Sequence, residues 1–199
     1  MSKRRDGGEQ TKNFIVAKAH ALFSEKGYAA TSMDDICDAT GRSIGNIYYH
    51  FKSKEDLFLY ILEQNLTEGW ERWGKISSQY ESATEKLYAF ADDVVDGPQR
   101  PLLSVVGEFY KKVGADTEVG QRLMTLMYKN FEPFVKLVSE GITRGEFKNE
   151  NPQELAAIIF SLYAGLDHQS KFMEKETKKV LFRKGTTLFL QGISTRNDI

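Results

Sequence analysis

Between Ser43 and His50 the chain crowds hydroxyl, amide, imidazole and aromatic groups into a short segment: Ser43, Gly45, Asn46, Tyr48, Tyr49 and His50, with Ile44 and Ile47 among them. Such side chains suit the edge of a nucleic-acid duplex. An asparagine amide can pair with an adenine edge, tyrosine hydroxyls reach phosphate oxygens, and aromatic rings meet thymine methyls. Gly45 leaves room for close backbone approach. Lys52 and Lys54 follow where a helix would begin, so ammonium groups and free backbone N–H donors would meet a phosphate together. The same residues could also form a polar surface helix with buried tyrosines. Catalytic patterns are weaker. No Ser-His-Asp or Cys-His set, Gly-rich phosphate loop or metal-ligand spacing is visible, since His20, His50 and His168 lie far apart and Cys37 has no cysteine partner. Asp167 beside His168 could exchange protons, but a polar pair at a pocket or dimer edge is the better reading. The expectation is therefore a non-enzyme without metal or cofactor. A single cysteine excludes an internal disulfide and fits a reducing cytosol.

The elements that must position these groups read as helices throughout. Ile15, Ala19, Leu22 and Phe23 form one apolar face, and Gly27 supplies a stop. Thr31 with Asp34 predicts the start of a second helix, striped by Met33, Ile36 and Cys37 and broken at Gly41. A third runs from about Ser43 to Tyr49. Helix, glycine-containing turn and helix is the helix-turn-helix arrangement, whose second helix can lie in a major groove. Ser53 caps a fourth helix buried through Leu57, Phe58, Ile61, Leu62 and Leu66. Ser82 with Glu85 opens a fifth, which ends at Gly97-Pro98. Helical patterns resume at 102–112 and at 117–143, where Pro133 predicts a kink. Asn151-Pro152 with Glu154 starts another helix, and the last spans about 175–192. The expected fold is all-α with about nine helices: a DNA-binding domain over 1–52 and a helical ligand-binding and dimerisation domain over 53–199.

Bulk properties agree. The 199 residues carry 41% hydrophobic and 28% charged side chains, an ordinary globular composition. Net charge is −1, but residues 1–55 carry nine Lys/Arg against seven Asp/Glu, so the basic excess sits in the predicted reading head. No apolar run suits a membrane span and no secretory leader is seen, so a cytoplasmic protein is expected.

The block Thr31-Ser32-Met33-Asp34-Asp35-Ile36, then Gly41 through Leu57 with Gly45-Asn46-Ile47-Tyr48-Tyr49-His50-Phe51-Lys52, resembles the TetR/AcrR family of one-component regulators, and Ala21-Leu22-Phe23 and Gly27-Tyr28 fit the same signature. Within the family, this block with Trp70 and Trp73 looks most like the QacR branch. The resemblance implies roles. Thr31 and Ser32 bind phosphate. Ser43, Ile44, Gly45 and Asn46 face bases. Tyr48, Tyr49 and His50 contact backbone or thymine methyls, and Lys54 anchors a phosphate. Ile36, Ile47 and Phe51 are core. Arg42 stands where the family usually has a small apolar residue, and either adds a phosphate contact or is solvated.

The remainder has no motif of like specificity. The resemblance implies an effector cavity between helices 4 to 8, expected at Trp70, Trp73, Phe90, Glu108, Tyr128, Phe131 and Tyr163. An inward Glu108 carboxylate would need a partner, and the QacR branch uses such acids for lipophilic cations. Only Glu108 matches there; Leu66, Thr67 and Met127 stand at the other acidic positions, which leaves the effector's charge open. Leu155, Ile158, Ile159, Leu162 and Leu166 form one apolar face, and Leu181 and Leu188 lie a heptad apart; Leu155, Ile159, Leu162, Leu166, Leu181 and Leu188 are the residues expected at a homodimer interface. The expected function is a repressor of double-stranded operator DNA, released by a small aromatic or amphipathic effector. The alternative is a helical adaptor without DNA binding.

Overall fold

The computed structural model describes residues 2–98 and 100–195, with side chains from Gly7 onward. The described chain is all-α, as expected: α1 (Ser2–Lys26), α2 (Met33–Thr40), α3 (Ile44–His50), α4 (Lys54–Ser77), α5 (Ala83–Asp96), α6 (Pro101–Val113), α7 (Glu118–Thr143), α8 (Pro152–Gln169) and α9 (Lys175–Ile193). Local chemistry explains the starts. Ser53 Oγ accepts the Asp56 N–H at the head of α4. Ser82 and Glu85 form a reciprocal capping box on α5. The Asn151 side chain accepts from the N–H groups of Gln153 and Glu154, with Pro152 at the first helical position. α7 runs unbroken through Pro133. Two expectations need correction. α1 begins at Ser2, well before its apolar stripe. The cap of α2 is Ser32 rather than Thr31, because Thr31 is fully buried, with its hydroxyl donating to the Gly27 carbonyl at 2.7 Å.

The chain packs as two compact units. The first comprises Met1–Glu68 with Gln99–Met127; the second comprises Gly69–Pro98 with Tyr128–Ile199. This division by packing does not follow the division of roles expected near residue 53, since α6 and the first parts of α4 and α7 belong with the helix-turn-helix. The core of the first unit gathers Ile15, Phe23, Ile36, Ile47, Phe58 and Phe109, all fully buried. Each such aliphatic or aromatic side chain contributes about 1.5–3 kcal/mol on burial.

The second unit is centred on aromatic rings. Phe90 lies 4.5 Å from Phe134, 5.0 Å from Trp73 and 5.7 Å from Tyr163, centroid to centroid. Tyr163 also stacks on Phe182 and donates from its hydroxyl to the Leu87 carbonyl. Arg72 holds Asp93 through two hydrogen bonds of 3.1 and 2.9 Å. Leu155 and Ile159, expected at a dimer surface, are instead buried in this core. Leu162 and Leu166 are half-buried and seat α8 against α9. A Cβ on Gly185 would come within 2.9 Å of Leu166, so glycine there serves packing within one chain. Leu181 is half-buried, and only Leu188 of the six expected contacts is exposed. The apolar groups that α8 and α9 do present to solvent are Ile158, Phe160, Val180 and Leu188. No helix among the described residues is long and apolar enough to cross a membrane.

Candidate nucleic-acid interface

α2 is held at both ends. The Ser32 hydroxyl accepts the Asp35 N–H at 3.0 Å while Asp35 accepts the Ser32 N–H at 2.7 Å, and the Ser32 hydroxyl also donates to the same carboxylate. Bonds from Ser32 and then Lys26 hold the Asp35 carboxyl well below the usual carboxylate range. At the other end Gly41 adopts φ +61°, the left-handed conformation that lets the chain reverse without Cβ strain. Ser43 then caps α3, its hydroxyl accepting the Asn46 N–H.

α3 is anchored by little. Ile47 is its one buried side chain, and Phe51 is buried just beyond it. Its other large groups face solvent: Tyr49 is 83% exposed, and Tyr48 and Ile44 are each 47% exposed. The tyrosines are therefore not a buried pair, which removes the alternative of a surface helix closed over its own rings. Arg42, Ser43 and Gly45 are also exposed, while Asn46 and His50 are half-buried. His50 meets Tyr49 edge-on at 5.1 Å. A Cβ at Gly45 would meet nothing within 4 Å, so packing inside the protein does not require glycine there. Asn46 Oδ1 is buried without a hydrogen-bond partner. Such an acceptor costs free energy unless some state of the molecule satisfies it.

Other expected phosphate groups lie elsewhere. Thr31 has no exposed side chain. Lys52 is exposed. Lys54 turns inward: its ammonium donates to the Tyr28 carbonyl at 3.0 Å and the Thr31 carbonyl at 2.7 Å, over the Tyr28 ring at 4.2 Å. Two of its three N–H donors are thus engaged within the unit. Sequence reasoning also missed Tyr28 as a hub. It is fully buried and donates from its hydroxyl to Glu55, and burial with that bond pushes its pKa far above the ordinary phenol value.

The expected effector residues separate. Glu108 belongs to the first unit, where its carboxylate accepts the backbone N–H groups of Tyr28 at 3.2 Å and Ala29 at 2.6 Å. This corrects its assignment to an aromatic pocket: the partner its charge needed is a backbone turn. Trp73, Phe90 and Tyr163 are buried among other rings. Trp70 and Phe131 are half-buried at the margin of that cluster, with the Trp70 indole N–H bonded to Asn130 at 2.8 Å. Tyr128 is largely exposed.

A capped α2, a left-handed glycine turn and an aromatic α3 facing solvent on an all-helical frame define a helix-turn-helix DNA-binding regulator. Comparison with known proteins gives the family. Residues 15–61 match the model for bacterial regulatory proteins of the tetR family, and residues 66–195 match that for the C-terminal region of QacR-like proteins. The regulator QacR of Staphylococcus aureus is 28% identical over 187 residues, covering 92% of this chain and 98% of that protein. AcrR of Shigella flexneri is 41% identical over 171 residues, covering 81% and 78%. Among solved structures, a TetR regulator from Chloroflexus aurantiacus superposes with TM-score 0.77 at 25% identity, covering 95% of this chain and 98% of that one. A regulator from Saccharomonospora viridis, solved with choline, also superposes with TM-score 0.77 at 21% identity, covering 94% of this chain and 100% of that one. The chain belongs to the TetR/AcrR family of transcriptional regulators. QacR is one relative among several of similar standing, so the finer assignment to its branch gives way to the family. Members generally act as ligand-responsive DNA-binding repressors, bind operator DNA as dimers and are not enzymes. No group of His, Cys, Asp and Glu that could hold a metal occurs among the described residues.

Proposed function

We propose that this protein is an effector-controlled repressor that reads a partly palindromic operator through α3 and leaves it when a small aromatic or amphipathic molecule binds the second unit. One observation carries the reading of DNA: α3 exposes Ile44, Tyr48 and Tyr49 and buries only Ile47. A single short helix that leaves this much aromatic surface to water is built to be covered by a partner. Gly45 is exposed on the same turn, and the half-buried Asn46 follows it, with a side-chain oxygen that no group within the chain satisfies.

The two side chains have different work. Tyr49 meets phosphate or a thymine methyl, and Asn46 pairs with a base edge. Tyr49→Ala is expected to weaken binding to most sequences. Asn46→Ala is expected to weaken the preferred duplex by about 1–3 kcal/mol and to flatten the preference at one base pair per half-site. Equilibrium binding to a panel of single-base variants measures both. If Asn46→Ala keeps the wild-type base preference, α3 is not the reading helix.

The effector reading rests on the margin of the aromatic cluster, where Trp70, Phe131 and exposed Tyr128 offer surface, rather than on its buried rings. The case for a cationic effector loses the residue it rested on, because Glu108 is bonded in the first unit. α4 begins at Lys54, bonded to the turn before α2, and carries Trp70 in the same helix. A molecule seated on Trp70 therefore acts on the helix that holds the head, and it shifts the DNA equilibrium only as far as it prefers one arrangement. Linkage then requires operator DNA to weaken the effector by the same factor.

A further inference from the structure

The turn between α1 and α2 is gripped from two sides within the first unit. From α4, the Lys54 ammonium takes the carbonyls of Tyr28 and Thr31. From α6, the Glu108 carboxylate takes the N–H groups of Tyr28 and Ala29, one oxygen to each. Gly27 makes the second grip possible. It sits at φ +84°, and a Cβ there would lie 2.8 Å from Glu108 Oε2, so the carboxylate occupies the space a side chain would fill. The gripped segment ends at Ser32, the cap of α2. α2 leads through Gly41 to α3, so the orientation of this turn is passed directly to the reading helix.

We propose that Glu108 is a positioning residue for DNA recognition: its two-pronged cap on the Tyr28–Ala29 backbone ties the reading head to α6. This rests on the DNA-reading function above. Glu108 touches no base or phosphate in this account. It acts by holding a turn that otherwise has two unpaired N–H donors and a glycine free to change conformation.

The sign of the effect separates positioning from simple charge. Glu108→Gln removes a negative charge from the DNA-binding unit, which by field alone tightens binding to a polyanion. It also leaves one acceptor oxygen where two were used, which loosens the turn. A matched control exists in the second unit. Glu146 caps the successive N–H groups of Ala83 and Thr84 in the same pattern, one oxygen to each, at 3.0 Å each. Glu146→Gln loses the same kind of bond far from the head in the sequence.

The test uses the full-length chain and the duplex that wild type enriches from a random pool. Glu108→Gln is expected to bind that duplex on the order of tenfold more weakly, the loss of roughly one charge-assisted hydrogen bond, with an unchanged salt slope. Amide exchange at Tyr28 and Ala29 should speed up, as read by NMR. Glu146→Gln should keep wild-type affinity. Equal or tighter binding by Glu108→Gln overturns the proposal, and so does an equal loss in both variants. If wild type enriches no duplex, the DNA reading itself has failed and the positioning role falls with it. If wild type binds and Glu108→Gln binds equally, only the positioning role falls.

Discussion

The double substitution Ile158→Glu with Leu188→Glu is expected to give a folded monomer whose operator affinity is lower by about a hundredfold or more. Both side chains are exposed in the single chain, Ile158 at 56% and Leu188 at 57%, so glutamate at either meets water and leaves the core intact. In a dimer built on α8 and α9 the same carboxylates would be buried without partners, and each such charge costs several kcal/mol. The DNA effect follows from geometry. Two reading heads on one body engage two half-sites, and the second contact forms at the effective concentration set by the first. A monomer keeps its α3 and loses that gain. Sedimentation gives the assembly state, and titration against the operator gives the affinity. A double variant that stays a dimer places the interface elsewhere. Leu155 and Ile159 are unsuitable probes, because both are buried in the core, so a polar substitution there is expected to cost folding stability as well as any dimer contact.

Phe90→Ala should destabilise the protein by about 3–5 kcal/mol in denaturant unfolding, the usual cost of deleting a ring from a closed core. Phe90 packs against Trp73, Phe134 and Tyr163 at 4.5–5.7 Å and is nearly excluded from water. Removing it leaves ring faces on three sides without contacts. A loss below about 1 kcal/mol would mean that the ring already borders open space, since little packing would then have been removed. The result therefore separates core from cavity at the centre of the second unit. It also explains why effector binding is placed at Trp70, Phe131 and Tyr128, where side chains are only partly committed to neighbours.

Much of this architecture is legible because it is local. Ser82 with Glu85, and Asn151 with Pro152, start helices through bonds spanning two or three residues, and a one-dimensional reading finds them. Thr31-Ser32-Met33-Asp34-Asp35 shows where locality fails. Thr31 with Asp34 and Ser32 with Asp35 offer the same cap spacing, one residue out of step. Burial of Thr31 against α1 decides between them, and burial depends on tertiary structure. Glu108 was unreadable for the same reason: its partners are 80 and 79 residues away, and a carboxylate among apolar neighbours looks alike whether it faces a ligand or a backbone turn. α8 is apolar nearly all round, through Leu155, Ala156, Ile158, Ile159 and Phe160. Periodicity therefore finds the helix but cannot tell the stripe that meets its own core from the stripe that meets solvent. The reading helix was the easier case. The composition of α3 marks it as a reading helix, but whether Tyr48 and Tyr49 are buried is decided only by the structure, which exposes both.

The central claim is that pairs of α3 helices read duplex DNA by sequence. Selection from a random duplex pool with the wild-type protein, followed by footprinting of the enriched duplex, tests it most directly. The account predicts an inverted repeat protected at both half-sites, their centres separated by about one helical turn, roughly 34 Å, or a multiple of it. Affinity should fall steeply and linearly in log–log form with salt, as phosphate neutralisation requires. A pool that emerges without sequence enrichment, or a protected site without two-fold symmetry, would contradict it.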